Sequence, residues 1–234
     1  MSMPFYVAPE QVMKDRADYA RKGIARGRSV VGVGYDDGIA FASENPSRAL
    51  HKVGEIYDRI AFAAVGKYNE FEALRVAGVR YADLRGYAYD RADVNARGLA
   101  NSYAQTMGAV FTTEAKPLEV EVVVAEVGSR ADRDEIYRLG YDGAVAEERG
   151  VVVIGGEAER LQQVVNQSWA AGMALPDALA LAVGALGSAG QDGAPARTLR
   201  AAQLEVAVLD RTRPRRAFRR LTGDLLDDLL GARG

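Results

Sequence analysis

Short stretches in which apolar residues alternate with polar ones, or run together, predict nine β-strands. In one of them, Leu118–Val127, Val120, Val122 and Val124 alternate with glutamates and one further valine. Asp36-Asp37-Gly38 separates the first two stretches, which predicts a β-hairpin. The predicted strands are Ser29–Tyr35, Ile39–Ser43, Ala49–Glu55, Arg59–Gly66, Leu118–Val127, Glu135–Tyr141, Val151–Gly155, Leu204–Asp210 and Arg215–Leu221.

Apolar residues at helical spacing predict six helices among these strands. The first, Pro9–Arg26, has proline in its first turn and a thin apolar stripe, so we expect it on a surface or between subunits. A tyrosine-rich link, Tyr81–Asp90, follows the second helix, and part of it could continue that helix. The other predicted helices are Lys67–Arg80, Asp93–Phe111, Glu157–Ala171, Pro176–Leu186 and Asp224–Leu230.

The order of these elements predicts an α+β fold. Strands come first, then two helices, strands, two helices and strands again, and this order favours two sheets packed together with helices outside. Gly187–Pro195 is rich in small residues and predicts a flexible surface loop.

Composition excludes several classes of function. The 234 residues carry a net charge of −2 and are 48% apolar, which argues against a general binder of nucleic acids or membrane surfaces. The chain has no cysteine, so disulfides, thiolate metal sites and cysteine catalysis are excluded. His51 is the sole histidine, so a Ser-His-Asp triad could form only around it. We expect a cytoplasmic protein without a secretory signal, membrane span, metal or cofactor.

Two local patterns resemble ligand sites but favour simpler interpretations. Gly32, Gly34 and Gly38 do not match the spacing of a phosphate-binding loop and fit the hairpin. The arginines at 211, 213, 215, 216, 219 and 220 have one aromatic neighbour, Phe218, so a solvated strand face or a subunit contact is favoured over nucleic-acid binding.

Lys52, near the start of the third strand, is the strongest candidate for a functional side chain. It could be an ordinary surface lysine, the activator of an N-terminal nucleophile, or a point charge that holds the carboxylate of a visiting chain terminus. The second role requires a nucleophile, yet no threonine occurs before Thr106. Ser29 is the hydroxyl that stands directly before the first strand.

Several long segments, in order along nearly the whole chain, resemble the proteasome α-subunit family in its actinobacterial form. They are Ala8-Pro9-Glu10-Gln11, ARKGIARGRSVV (20–31), ENPSRALHK (44–52), YDRIAFAAVGKYNEF (57–71), RGYAYDR (85–91), LANSYAQTMG (99–108) and EVAVLDRTRPRRAFRRLTG (205–223). The resemblance implies a four-layer α-β-β-α sandwich of the N-terminal-nucleophile hydrolase type. In catalytic members a threonine opens the first strand, near Arg28–Ser29 here, and a lysine supports it, near Lys52.

The family implies a non-catalytic role within a protein-degrading complex. Seven α-subunits form an outer ring that caps rings of β-subunits, and their N-terminal tails close the pore to unfolded protein substrates. Residues 1–8 would then be a gating tail and residues 9–234 one domain. The gating residues implied are Met1, Ser2, Met3, Pro4, Phe5, Tyr6, Val7 and Ala8.

The resemblance also implies a docking pocket between neighbouring α-subunits for a ring ATPase of the AAA class. The hydrophobic–Tyr–X carboxyl tail of that ATPase would enter the pocket. Lys52 would anchor the carboxylate of the tail, and Asp18, Gly27 and Gly66 would line the pocket. Two residues depart from the family pattern. Asp18 replaces a glutamate, and Ala8 replaces a serine whose oxygen would cap the helix, a contact of about 1 kcal/mol.

Two alternatives remain open at the level of sequence. One is a self-processing serine hydrolase that frees Ser29 and uses Lys52 as its activator, although Arg28 is not the small residue usual before such a cut. The other is a ring scaffold without a regulated gate.

Overall fold

The computed structural model describes residues 8–189 and 197–231. The predicted gating residues Met1–Val7 and most of the predicted loop Gly187–Pro195 lie outside the described residues. Described strands and helices alternate as the sequence predicts, with ten strands and six α-helices in the described ranges.

The first sheet has five antiparallel strands in the order β10-β9-β2-β1-β8. At the predicted hairpin, β1 and β2 pair from Tyr35–Gly38 back to Val30–Ser43. Glycine at position 38 has a φ of 154°, a value that favours glycine. The strands are β1 Val30–Tyr35, β2 Gly38–Glu44, β8 Val151–Ile154, β9 Leu204–Asp210 and β10 Phe218–Leu221.

The second sheet has five antiparallel strands in the order β3-β4-β5-β6-β7. Its central strand β5 is buried on both faces, since Val122 and Val124 contact the helices and Val123 contacts the first sheet. The strands are β3 Val53–Tyr57, β4 Ile60–Gly66, β5 Val120–Glu126, β6 Glu135–Leu139 and β7 Val145–Glu148.

Helices cover the outer faces of both sheets, which confirms the predicted four-layer α-β-β-α sandwich. One buried cluster joins α4 and α5 to the first sheet, another joins α2 and α3 to the second, and a third lies between the sheets. The helices are α1 Pro9–Ala25, α2 Tyr68–Ala88, α3 Ala96–Thr113, α4 Ala158–Ser168, α5 Leu175–Gly187 and α6 Asp224–Gly231.

Two elements extend the sequence prediction. Most of the predicted link, Tyr81–Ala88, continues the second helix as the last two turns of α2, which confirms that possibility, and Ala82 within it is fully buried. Strand β7 was not predicted, because its sequence VAEE has two glutamates and no buried face; it forms by pairing with β6 at the sheet edge.

Three boundaries moved because hydrogen bonds outside the helix and strand ladders compete for the chain at these points. Strand β3 begins at Val53 rather than Ala49, since Asn45 and Ser47 accept bonds from the backbone N–H groups of Ser47 and Leu50 and form a turn. Helix α4 ends at Ser168, after which the Trp169 ring donates to the Gly34 carbonyl over 2.9 Å. Strand β10 begins at Phe218, because the Ala217 N–H donates to the backbone carbonyl of Asp58 instead of to a neighbouring strand.

Candidate functional site

Lys52 lies directly before β3, where that strand approaches the junction of α1 and β1. Its Nζ donates to the Arg28 carbonyl oxygen over 2.5 Å, and its own carbonyl accepts from the Ala64 N–H on β4 over 2.9 Å. The side chain therefore bridges the two sheets at the end of the sandwich where α1 finishes.

The electrostatic surroundings of Lys52 leave its charge poorly compensated. Burial, aided by the Arg28 guanidinium, lowers the pKa of Lys52 from 10.5 to about 8, while the carboxylates of Glu205 and Glu44 oppose the shift. Within the described residues, no carboxylate oxygen lies within ion-pair distance of Nζ. A half-buried ammonium whose present partner is a neutral carbonyl is suited to receive an anionic group.

Gly27 and Gly66 lie beside each other near this lysine. A Cβ added at Gly27 would lie 3.3 Å from the Gly66 backbone nitrogen and would overlap the Val65 side chain. Gly66 has a φ of 124°, and a Cβ there would overlap the Glu119 carbonyl oxygen. Gly66 is thus required by its backbone conformation and close backbone packing, and Gly27 by the Val65 side chain, whatever ligand visits the site.

Asp18 is the sequence-predicted site residue that the single chain does not bring to Lys52. It lies on α1 about 10 Å along the helix axis from the end of the helix at Ala25. Its carboxylate pairs with Arg21 at 3.2 Å, and the Arg21 guanidinium lies 5.7 Å from the Tyr141 ring centroid. Its place in a docking pocket stays a prediction, since such a pocket includes a neighbouring subunit.

Ser29 is buried directly before β1, at the junction of α1 and the first sheet. Its carbonyl accepts from the Ser43 hydroxyl over 2.9 Å. The Gly156 N–H contacts the Gly27 carbonyl at 3.4 Å, and a Cβ at Gly156 would overlap the Ala25 carbonyl oxygen. The end of α1 therefore packs closely beside Ser29.

Sequence reasoning missed the carboxylate that fixes the Lys52 backbone. Glu205 on β9 is 6% exposed and accepts from the backbone N–H of Lys52 over 2.9 Å and of Val53 over 3.1 Å. A signal was present in the strand LEVAVLD, because Glu205 shares the face of Ala207 and Leu209, which contact the opposite sheet. A carboxylate on the buried face between two sheets requires hydrogen-bond or ion-pair partners.

Three of the six arginines in the basic cluster of residues 211–220 form ion pairs within the chain. Arg211 pairs with Asp134 at 2.8 Å, Arg216 with Glu55 at 2.6 Å, and Arg220 with Glu205 at 2.9 Å. The first two pairs tie the end of the first sheet to the second sheet, and the third joins β9 to β10 within the first sheet.

Ala8, the last of the predicted gating residues, is exposed directly before α1. Its carbonyl accepts from the Gln11 and Val12 N–H groups, and its side chain provides no cap.

In the part of the chain that the structure describes, no cluster of His, Cys, Asp or Glu could hold a metal ion. No helix among those residues is long and apolar enough to cross a membrane.

Comparison with known proteins gives one consistent match. The family model described as "Proteasome subunit" matches residues 24–208. Curated relatives with the name "Proteasome subunit alpha" include that of Sanguibacter keddieii, 71% identical over 99% of this chain and 91% of its own length. That of Xylanimonas cellulosilytica is 69% identical over 99% and 97%, and that of Kineococcus radiotolerans 66% over the full length of both.

Proposed function

The chain belongs to the proteasome subunit family, alongside actinobacterial α-subunits, and we propose that it is a non-catalytic, gating and docking subunit of the proteasome core particle. In this proposal seven copies form an outer ring on the catalytic β-subunits. The ring receives the hydrophobic–Tyr–X tails of a ring ATPase and admits unfolded protein substrates.

The half-buried ammonium of Lys52 is the observation that supports docking best. It is short of a compensating carboxylate, it stands beside the two tightly packed glycines Gly27 and Gly66, and it lies at the α1 end of the sandwich. A chain-terminal carboxylate would supply the missing charge and replace the weaker contact with the Arg28 carbonyl. The match to the α-subunit relative from Kineococcus radiotolerans spans the full chain and so covers this region.

The gating part of the proposal concerns residues 1–8, of which the structure describes Ala8. Because Ala8 is exposed and leads directly into α1, a preceding tail would leave the subunit at the start of that helix, about 25 Å along its axis from the end that lies near Lys52. The apolar and aromatic residues Met3, Phe5 and Tyr6 are suited to contact their copies in a ring.

Deletion of residues 2–8 tests the gate. In a core particle assembled with β-subunits and without activator, we expect the deletion to raise hydrolysis of a short fluorogenic peptide severalfold. The full-length Phe5→Ala/Tyr6→Ala variant should raise it less, since the tail keeps its length. Equal rates for all three particles would contradict the gate and favour a scaffold without one.

One contact favours the second candidate, a self-processing hydrolase. The Arg28 carbonyl that Lys52 touches belongs to the peptide bond before Ser29, the bond that processing would cut. The intact mass of the denatured chain, taken from the assembled particle, separates the two functions. A chain that starts at Met1 or Ser2 supports the gating subunit, whereas one that starts at Ser29 shows a released nucleophile.

A further inference from the structure

We propose that Glu205, together with Arg220, is the positioning group of the docking site, because it fixes the backbone from which the Lys52 side chain would reach a carboxylate ligand. This inference rests on the proposed docking role of Lys52. These two residues form the Glu205–Arg220 clip.

The clip occupies the open edge of β3. That strand pairs with β4 on one side and is the edge strand of the second sheet, so its other side lacks a strand partner. Glu205 accepts from the Lys52 and Val53 N–H groups, and Arg220 donates to the Val53 carbonyl over 2.6 Å. Side chains of the first sheet thereby replace the missing strand at the residue that carries the ammonium.

The clip is held from several directions, so its geometry is well defined. Besides the two backbone donors, Glu205 accepts from Arg220 Nη1 over 2.9 Å and from Asn45 Nδ2 over 2.7 Å. The Lys52 carbonyl is held from the opposite side by Ala64. A backbone fixed on both sides limits where a flexible lysine can place its Nζ, which lowers the entropy lost when a ligand binds.

Charge gives the clip a second effect. The groups that act on the Lys52 ammonium are Glu205 on β9, Glu44 on β2 and Arg28 before β1, and of the two carboxylates Glu205 exerts the larger effect. Glu205 itself faces Arg220 and His51, whose Nδ1 is buried 3.4 Å from the carboxylate without completing a hydrogen bond. Removal of the Glu205 charge should therefore lower the pH at which Lys52 loses its proton.

The test measures the affinity of the assembled core particle for a synthetic peptide that ends in hydrophobic–Tyr–X with a free carboxylate, from pH 6 to 10. Glu205→Gln alone leaves Arg220 without its partner, so the main variant is Glu205→Gln/Arg220→Gln, which exchanges an ion pair for neutral amides. The matched control is Glu55→Gln/Arg216→Gln, which neutralises the ion pair that joins β3 to the segment directly before β10.

We expect the main variant to bind the peptide about tenfold more weakly at pH 7.5 and to lose binding at a lower pH than wild type, while the control matches wild type. Glu205→Asp keeps the negative charge but retracts the carboxylate. This variant should bind the peptide weakly, and its affinity should fall with pH at nearly the same midpoint as that of wild type. A main variant with wild-type affinity and midpoint overturns the role of the clip. If instead Lys52→Met leaves binding of the peptide unchanged, the proposed docking role of Lys52 fails, independently of the clip.

Discussion

At the residue scale, Lys52 illustrates how burial converts an ordinary side chain into a selective one. A fully solvated lysine keeps its proton throughout the physiological range, and its attraction for a carboxylate is weakened by water. Lys52 has lost part of its solvent without gaining a carboxylate, and this imbalance is what a visiting chain terminus would correct.

The lowered pKa of Lys52 predicts the pH dependence of docking. Because a carboxylate binds the protonated amine, binding should be strongest well below pH 8 and should fall as the pH rises through about 8, well before the ordinary value of 10.5. The same shift means that the unfolded chain binds more protons between about 8 and 10.5, so this group makes the free energy of unfolding rise with pH in that window.

A titration of peptide affinity against pH checks this prediction. Lys52→Arg serves as the control, since a guanidinium stays charged and its binding, however weak, should change little between pH 7.5 and 9.5. A wild-type profile as flat as that of the arginine variant would contradict the assignment.

Gly66 gives a second prediction at this scale. Its positive φ and its contact with the Glu119 carbonyl leave no room for a side chain, so Gly66→Ala should lower the free energy of unfolding by about 1–3 kcal/mol. Gly184, inside α5 with open space around it, is the matched control, and Gly184→Ala should raise stability by about 0.5–1 kcal/mol. Denaturant unfolding of both variants measures the difference, and a neutral Gly66→Ala would contradict the backbone account.

At the scale of elements, α1 is attached to the sandwich by a few specific contacts. Ala20 and Ile24 are buried, but Val12 and Met13 of the predicted apolar stripe remain more than a third exposed. Arg16 compensates by donating to the Phe111 carbonyl near the end of α3 over 2.7 Å, where a helix dipole favours a cation. A helix with so little buried surface keeps an outer face free for other subunits.

This attachment predicts that Arg16→Ala loosens α1. Loss of the hydrogen bond should cost about 1 kcal/mol and speed amide hydrogen exchange along the helix, with little change in the two sheets. Lys14→Ala, at an exposed position two residues earlier on the same helix, is the control and should leave exchange unchanged. Exchange in α1 that is insensitive to Arg16→Ala would show that the helix is held by packing alone.

Elements with a regular pattern of apolar residues could be predicted from the sequence, and those shaped by distant partners could not. The alternation in β5 and the hairpin turn at Gly38 are local, so their prediction needed no tertiary information. Strand β7 and the last turns of α2 depend on neighbours that the local sequence does not reveal. In the same way Lys52 could be selected as a candidate, whereas Glu205 acquires its role only when two sheets meet.

At the scale of the whole molecule, the site lies where three parts of the sandwich converge. The end of α1, the start of β1 in the first sheet and the start of β3 in the second are joined through Lys52, the Arg28 carbonyl and Glu205. A ligand at this junction would contact the helix and both sheets together. Helix α1 joins this junction at Ala25 to Ala8 at its opposite end, and in the proposed function it is the element that would connect docking to the gating tail.

The most direct test of this account compares two peptides that end in hydrophobic–Tyr–X, one with a free carboxylate and one with a carboxamide. Their affinities for core particles that carry Lys52 or Lys52→Met form a double-mutant cycle. We predict that amidation and Lys52→Met each weaken binding about tenfold or more, and that the two changes together cost little more than either one. Equal affinity of the wild-type particle for both peptides would contradict the role of Lys52 as the carboxylate anchor.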